Sequence, residues 1–116
     1  MRLKKYILKD RIPITEPNLI KWGLWMANLE NRRVRQTTIQ VNNEKQISFI
    51  KVSTVFLGID HNFMGGRPLL FETMVFGHHT LSGLQLRYVT WKEAEKSHDK
   101  IVKKLSNNNL IEDKIL

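Results

Sequence analysis

The spacing of hydrophobic and polar positions changes several times along the chain, and each change marks an element. Leu3–Leu8 predicts a short first strand, stopped by the stretch Asp10–Pro13. Thr15-Glu16-Pro17 predicts a helix start, with a cap candidate and proline in the first turn. The helix that follows, over 17–31, is crowded with Leu19, Ile20, Trp22, Leu24, Trp25, Met26 and Leu29. Its polar stripe is narrow (Asn18, Lys21, Asn28, Arg32), so most of its surface is expected to be covered by the sheet, the C-terminal helix or a second subunit. Gly23 weakens it in the middle and is expected to mark a close contact.

β-Branched residues then predict a strand over Thr37–Val41 and a turn at Asn42-Asn43-Glu44. A longer strand, Ile47–Ile59, changes parity. Ile47 and Phe49 fall on one face, Ile50, Val52 and Phe56 on the other, which predicts a bulge or twist near Lys51–Thr54. Leu69–Phe76 and Leu84–Val89 read as further strands, separated by the turn Gly77–Gly83. Thr90 and Glu93 form a Thr-x-x-Glu capping box, with Val89 and Ala94 placed to staple it. In the helix beyond, Trp91, Ala94, His98, Ile101, Val102 and Leu105 share one face. Asn107-Asn108-Asn109 is expected to end it. The order β-α-β-β-β-β-α predicts an α+β domain, an antiparallel sheet of four to five strands packed with an N-terminal and a C-terminal helix. No repeat or linker divides 1–116, and 106–116 reads as a tail that frays or docks through Leu110, Ile111, Ile115 and Leu116.

Composition narrows the chemistry. The 116 residues include no cysteine, which excludes disulfides, thiolate metal sites and a cysteine nucleophile. No apolar run approaches the ~20 residues of a membrane span and no signal-peptide pattern is seen, so an intracellular protein with no membrane contact is expected. The formal charge of +8 is unevenly placed: residues 1–35 hold nine basic groups against three acidic ones. The densest element is Arg32-Arg33-Val34-Arg35 at a helix-to-strand junction. Guanidinium groups bind phosphate bidentately, so Arg32, Arg33 and Arg35 are candidates for an anion site. No aromatic interleaving of the kind that stacks RNA bases accompanies them.

The segment STVFLGIDHNFMGGRPLLFETMVFG (Ser53–Gly77), followed by RYVTWKEAEKSH (Arg87–His98), resembles a family of small phage and prophage proteins. That family pairs a strand ending in Asp-His with a Gly-rich loop, then Leu-Phe-Glu-Thr-Met and Phe-Gly, and closes on an Arg-Tyr-x-Thr-Trp-x-Glu-Ala-Glu helix start. Glu16-Pro17 matches as well. The chain departs from the pattern at His78, where a second glycine is expected, and at Ser97, where Gly-His is usual; both changes argue against an essential role for those glycines. The resemblance implies a phage or prophage origin, the bacterial host cytoplasm, and a role in counter-defence or host takeover. It implies no established activity.

Asp60-His61 at a strand end, Arg67 after Gly65-Gly66, and Glu72 with Arg87 make up a candidate ligand pocket. Asp60 is suited to capping the turn or orienting a neighbour, and His61 to acid–base work near neutral pH. Gly-Gly here matches neither a P-loop nor a dinucleotide fingerprint. On 69–76, Glu72 shares parity with Leu70, Met74 and Phe76, so its carboxylate needs a partner, with Arg87 as ion pair and Thr54 as hydrogen-bond donor. If Leu69, Phe71 and Val75 form the core instead, Glu72 faces solvent. His78-His79 lacks metal-ligand spacing, His98 reads as a satisfied core histidine, and Ser53 or Ser82 lacks a nucleophile elbow. No metal or cofactor is expected. Three functions stay open. The first is an accessory, non-enzymatic protein binding an anionic target (a nucleotide, nucleic acid or acidic host protein surface), expected to form a homo-oligomer. The second is a small hydrolase or nuclease using Asp60, His61, Glu72 and His98. The third is an assembly protein self-associating through the Trp22/Trp25 helix.

Overall fold

The computed structural model describes residues 4–42 and 44–115, with side chains through 107. Leu3, Asn43 and the side chains of Leu110, Ile111, Ile115 and Leu116, which entered the expected first strand, turn and docking tail, lie outside that set. The chain forms β1 (Tyr6–Lys9), β2 (Ile12–Thr15), α1 (Leu19–Ala27), α2 (Leu29–Arg32), β3 (Arg33–Asn42), β4 (Ile47–Phe56), β5 (Phe71–Phe76), β6 (Gln85–Tyr88) and α3 (Trp91–Ile115). A two-stranded sheet β1-β2 accompanies an antiparallel four-stranded meander β3-β4-β5-β6. The fold is α+β.

Where one N-terminal strand was expected, a hairpin stands. Lys9 pairs with Ile12, leaving Asp10 and Arg11 as a two-residue loop with φ of 51° and 67°. Two positive φ angles match the primed turns that suit strand twist. They cost energy at a non-glycine residue, and the Arg11 guanidinium offsets part of this by standing 5.0 Å over the Trp91 ring. Asp-Arg is not a usual sequence for such a turn, and Pro13 argues against a strand; Pro13 is accommodated in a four-residue strand at the edge of a two-stranded sheet.

The expected helix over 17–31 is broken. Its cap is Asn18, whose side chain accepts from Lys21 N at 3.0 Å, one turn later than expected. It stops at Asn28, whose extended backbone (φ −84°, ψ 108°) lets Oδ1 accept from Glu30 N and start α2. Asn31 Nδ2 closes the break by donating to the Trp25 carbonyl. Short amide side chains compete with the helix for backbone groups, and two of them surround this point. Within the chain, coverage of α1 is partial. Trp22, Trp25 and Met26 turn inward, while Leu19, Ile20 and Leu24 stand 66%, 73% and 72% exposed. A Cβ built on Gly23 would meet nothing within 4 Å, so the close contact expected there is not made within the chain.

β4 keeps a single parity. Ile50, Val52, Thr54 and Phe56 are all buried, and Ile47 and Phe49 lie exposed on the other face. The register irregularity falls on the partner strand, between Arg33 and Arg35, opposite Val55 and Thr54. The parity change thus reports an apolar outer face, not a bulge in β4. α3 is capped as expected: Thr90 Oγ1 accepts from Glu93 N at 3.1 Å and donates to the Glu93 carboxylate at 3.0 Å. Its backbone continues past 107–109 to Ile115, because asparagine lowers helix propensity only moderately and neither Gly nor Pro follows.

Two apolar clusters lie between α3 and the sheet. One joins Ile50, Val52, Val75 and Leu105; the other joins Phe56, Leu70, Phe71 and Ala94 with Trp25 and Trp91 at its margin. The second is built on edge-to-face rings, Phe56 with Trp25 at 5.6 Å and with Phe71 at 5.3 Å between centroids. Between them each contributing element places a polar residue: Thr54 on β4, Thr73 on β5 and His98 on α3.

Candidate functional site

That polar layer is the most enclosed chemistry in the chain. His98, 1% exposed, bonds Thr54 Oγ1 through Nδ1 at 2.7 Å and Thr37 Oγ1 through Nε2 at 2.8 Å. Thr54 Oγ1 in turn lies 2.6 Å from Thr73 Oγ1. A neutral imidazole has one donor and one acceptor, and each hydroxyl can donate or accept. The chain of four groups therefore closes in either proton order. Burial pushes the His98 pKa down; Asp99 opposes that shift and Arg35 adds to it. A neutral imidazole held at both nitrogens has no free position for a substrate proton. Its arrangement is that of a structural core histidine.

The loop after β4 is held by its own polar groups. Asp60 Oδ1 accepts from Asn62 N and Leu69 N, both at 2.8 Å, and so ties the two ends of the loop together. His61 N donates to the Leu69 carbonyl, and its Nδ1 lies 2.8 Å from the Ile59 carbonyl. A carbonyl only accepts, so Nδ1 is the donor in this contact. Asn62 Nδ2 holds the Arg67 carbonyl at 2.8 Å, which fixes the Arg67 backbone in the exposed part of the loop. Asp60, His61 and Arg67 thus share one loop, with Asp60 in the turn-capping role.

Glu72 and Arg87 are brought together by register: they are direct partners on β5 and β6, with Arg87 Nε donating to Glu72 Oε2 at 2.9 Å. Parity resolves in an unexpected way. Phe71, Thr73 and Val75 face α3, so Glu72 lies on the opposite face, yet it is only 7% exposed. Thr54, expected to donate to it, faces the other way and bonds Thr73 and His98 instead. Strand alternation likewise separates Glu72 from His98, so the acid–base set expected of a hydrolase does not converge on His98.

The arginines of 32–35 are divided by an element boundary and a bulge: Arg32 ends α2, and the register of β3 shifts between Arg33 and Arg35. Arg33 pairs with Glu30 at 2.7 Å. Arg35, opposite Thr54, turns to α3 and contacts Glu95 at 3.3 Å and Asp99. Arg32 keeps Nε buried without a hydrogen-bond partner among the described residues. Two of the three guanidinium groups are thus answered by the chain's own carboxylates. His78 is buried, and its Nδ1 accepts from Thr80 N and Leu81 N, organising the β5–β6 turn. Among the described residues no three His, Asp or Glu side chains gather as metal ligands, and no helix is long and apolar enough to cross a membrane.

What sequence reasoning missed is which residues carry the exposed apolar surface of α1. Ile20, Gly23, Leu24 and Ala27 follow the spacing i, i+3, i+4, i+7, and this row faces away from the inward set Trp22, Trp25 and Met26. Trp22 is fixed inward by Nε1 donating to the Tyr6 and Gly58 carbonyls. The exposed apolar face of this Trp-containing helix is thus carried by its leucines and isoleucine, not by the half-buried tryptophans. The signal was present in the near-absence of polar positions in α1. Compared with known proteins, the chain matches no family model, no curated protein and no solved structure.

Proposed function

We propose that this protein is a non-enzymatic accessory module that docks its N-terminal surface onto an acidic partner protein. The observation carrying this reading is the exposed set Leu19, Ile20, Leu24 and Ala27 on α1, which the chain itself leaves uncovered. A helix apolar on nearly all sides suits a buried environment, and contiguous exposed apolar area marks interaction sites. The set lies within residues 1–35, the segment with nine basic groups against three acidic. Lys4, Lys9 and Lys21 of this segment are exposed, and such charge in the same segment as an apolar stripe suits an acidic, apolar-centred surface on the other side. A phosphate ligand is less well served, because Arg33 and Arg35 already have carboxylate partners. The resemblance of Ser53–Gly77 and Arg87–His98 to small phage and prophage proteins supports a host protein as that partner, the bacterial cytoplasm as the place of action, and counter-defence or takeover as the purpose.

The test is capture from host lysate with the native chain and Leu24→Asp side by side, quantified by mass spectrometry across a salt series. A protein retained by the native chain, lost with Leu24→Asp and released as salt rises is the expected result. Saturable binding of a nucleotide or nucleic acid that Leu24→Asp leaves unchanged would replace this reading with a phosphate-binding one.

A further inference from the structure

A second surface, separate from α1, has a self-complementary design. We propose that the free edge of β3 pairs antiparallel with β3 of a second copy, joining two four-stranded sheets into one continuous sheet across a two-fold axis. β3 is the outermost strand of its sheet, ten residues long, and its edge away from β4 takes no backbone hydrogen bond among the described residues. Such an edge is a template for another strand, and proteins that stay monomeric blunt it with short length, proline, lysine, bulges or inward charge. The other edges carry these devices. β2 has four residues and Pro13, and β6 has four residues and Arg87. The outer side of β1 is partly tied by Tyr6 N to the Gly58 carbonyl and by the bridge from Lys5 to Ile59. β3 has neither proline nor lysine, and its irregularity and both arginines are confined to its first three residues. From Gln36 to Asn42 it is uncharged and regular.

That uncharged stretch fits a copy of itself. Centred on Ile39, an antiparallel register sets Thr37 opposite Val41 of the second copy on the α3 side, and Thr38 opposite Gln40 on the outer side. Ile39 and Val41 are only half-buried at the margin of the core, and a neighbouring strand would complete their cover. Thr38, Gln40, Gln36 and Asn42 offer hydroxyl and amide groups that hydrogen-bond to their own kind, so no complementary charge is required of the partner. Nothing on β3, which is uncharged from Gln36 to Asn42, selects a foreign strand. The isologous pairing instead repeats every contact twice.

Sedimentation equilibrium over a wide concentration range tests this. The native chain is expected to move from the mass of one chain towards that of two. Thr38 and Gln40 are exposed, so Thr38→Lys/Gln40→Lys and Thr38→Glu/Gln40→Glu should fold, as circular dichroism can verify. Each pair of substitutions sets like charges opposite each other and should weaken self-association by about tenfold or more; an equimolar mixture of the two should restore the dimer. A native chain that stays monomeric at the highest concentration overturns the proposal. So does a lysine variant that dimerises like the native chain, or a dimer abolished by Leu24→Asp, which would move the interface to α1. Leu24→Asp is expected to leave the dimer intact, so a failure at β3 and a failure of the docking reading give different results.

Discussion

α1 and α3 both carry enough apolar residues to pack on the sheet, and they treat them differently. α3 has one apolar stripe and hides it: Ala94, His98 and Leu105 are buried, and lysines and glutamates fill its outer side. α1 has apolar residues nearly all round, covers Trp22, Trp25 and Met26, and leaves Leu19, Ile20 and Leu24 in water. The excess on α1 contributes nothing to this chain's core. Under the proposed docking it is the surface that meets the partner, whereas α3 holds the molecule itself together.

Truncation on each side should expose the difference most strongly. Phe56→Ala removes the ring shared by Trp25 and Phe71, and a fully buried phenylalanine truncated in a packed core costs about 3–5 kcal/mol. Leu24→Ala, at an exposed position on α1, should change stability by no more than about 0.5 kcal/mol. Urea unfolding of the two variants reads both values. Comparable losses would mean that α1 packs more tightly than its exposure indicates.

The polar layer inside the α3 interface comes next. Thr54→Val keeps the shape but leaves His98 Nδ1 and Thr73 Oγ1 without their shared partner. Leaving buried polar groups unsatisfied costs roughly 1–3 kcal/mol, again measured by urea unfolding. A neutral effect would show that the hydroxyl chain closes without Thr54.

pH sharpens the same contrast. Burial holds the folded-state pKa of His98 below the ordinary 6.5. The unfolded chain therefore binds a proton over a range where the folded chain does not. The stability contributed by neutral His98 is full above about pH 6.5 and is lost as pH falls from there through the lowered folded value. Melting temperature measured from about pH 8 to about pH 5 should fall more steeply for the native chain than for His98→Gln, which has no proton to take up. Parallel curves would place the acid sensitivity elsewhere, and no α1 substitution should alter the slope.

The order of strands β3–β6, the capping box and buried stripe of α3, and the Glu72–Arg87 pair were legible because each depends on local spacing. The N-terminal hairpin was not, since an Asp-Arg loop with two positive φ angles relies on Arg11 reaching Trp91, eighty residues away in the chain. The grouping of Arg32, Arg33 and Arg35 was misleading for a related reason. A helix end and a register shift between Arg33 and Arg35 turn them apart, and Glu30, Glu95 and Asp99 answer two of the three from different elements. Burial of Glu72 on the sheet face away from α3 likewise depends on packing that no parity rule supplies.

Gly23 gives the finest discrimination between the two helices. A glycine within a helix is less favourable than alanine by up to about 1 kcal/mol, and it is retained where its lack of a side chain is used. Here a Cβ would enter open space and φ is not positive, so nothing within the chain uses it. Gly23→Ala should therefore raise stability by roughly 0.5–1 kcal/mol, the opposite sign to truncations under α3. If the glycine lets a partner backbone approach α1, the same substitution should weaken capture of that partner while the isolated chain grows more stable. Thermal unfolding and the capture assay measured on one preparation would separate the two effects. A destabilised Gly23→Ala would instead mean that α1 packs against its own chain at that point.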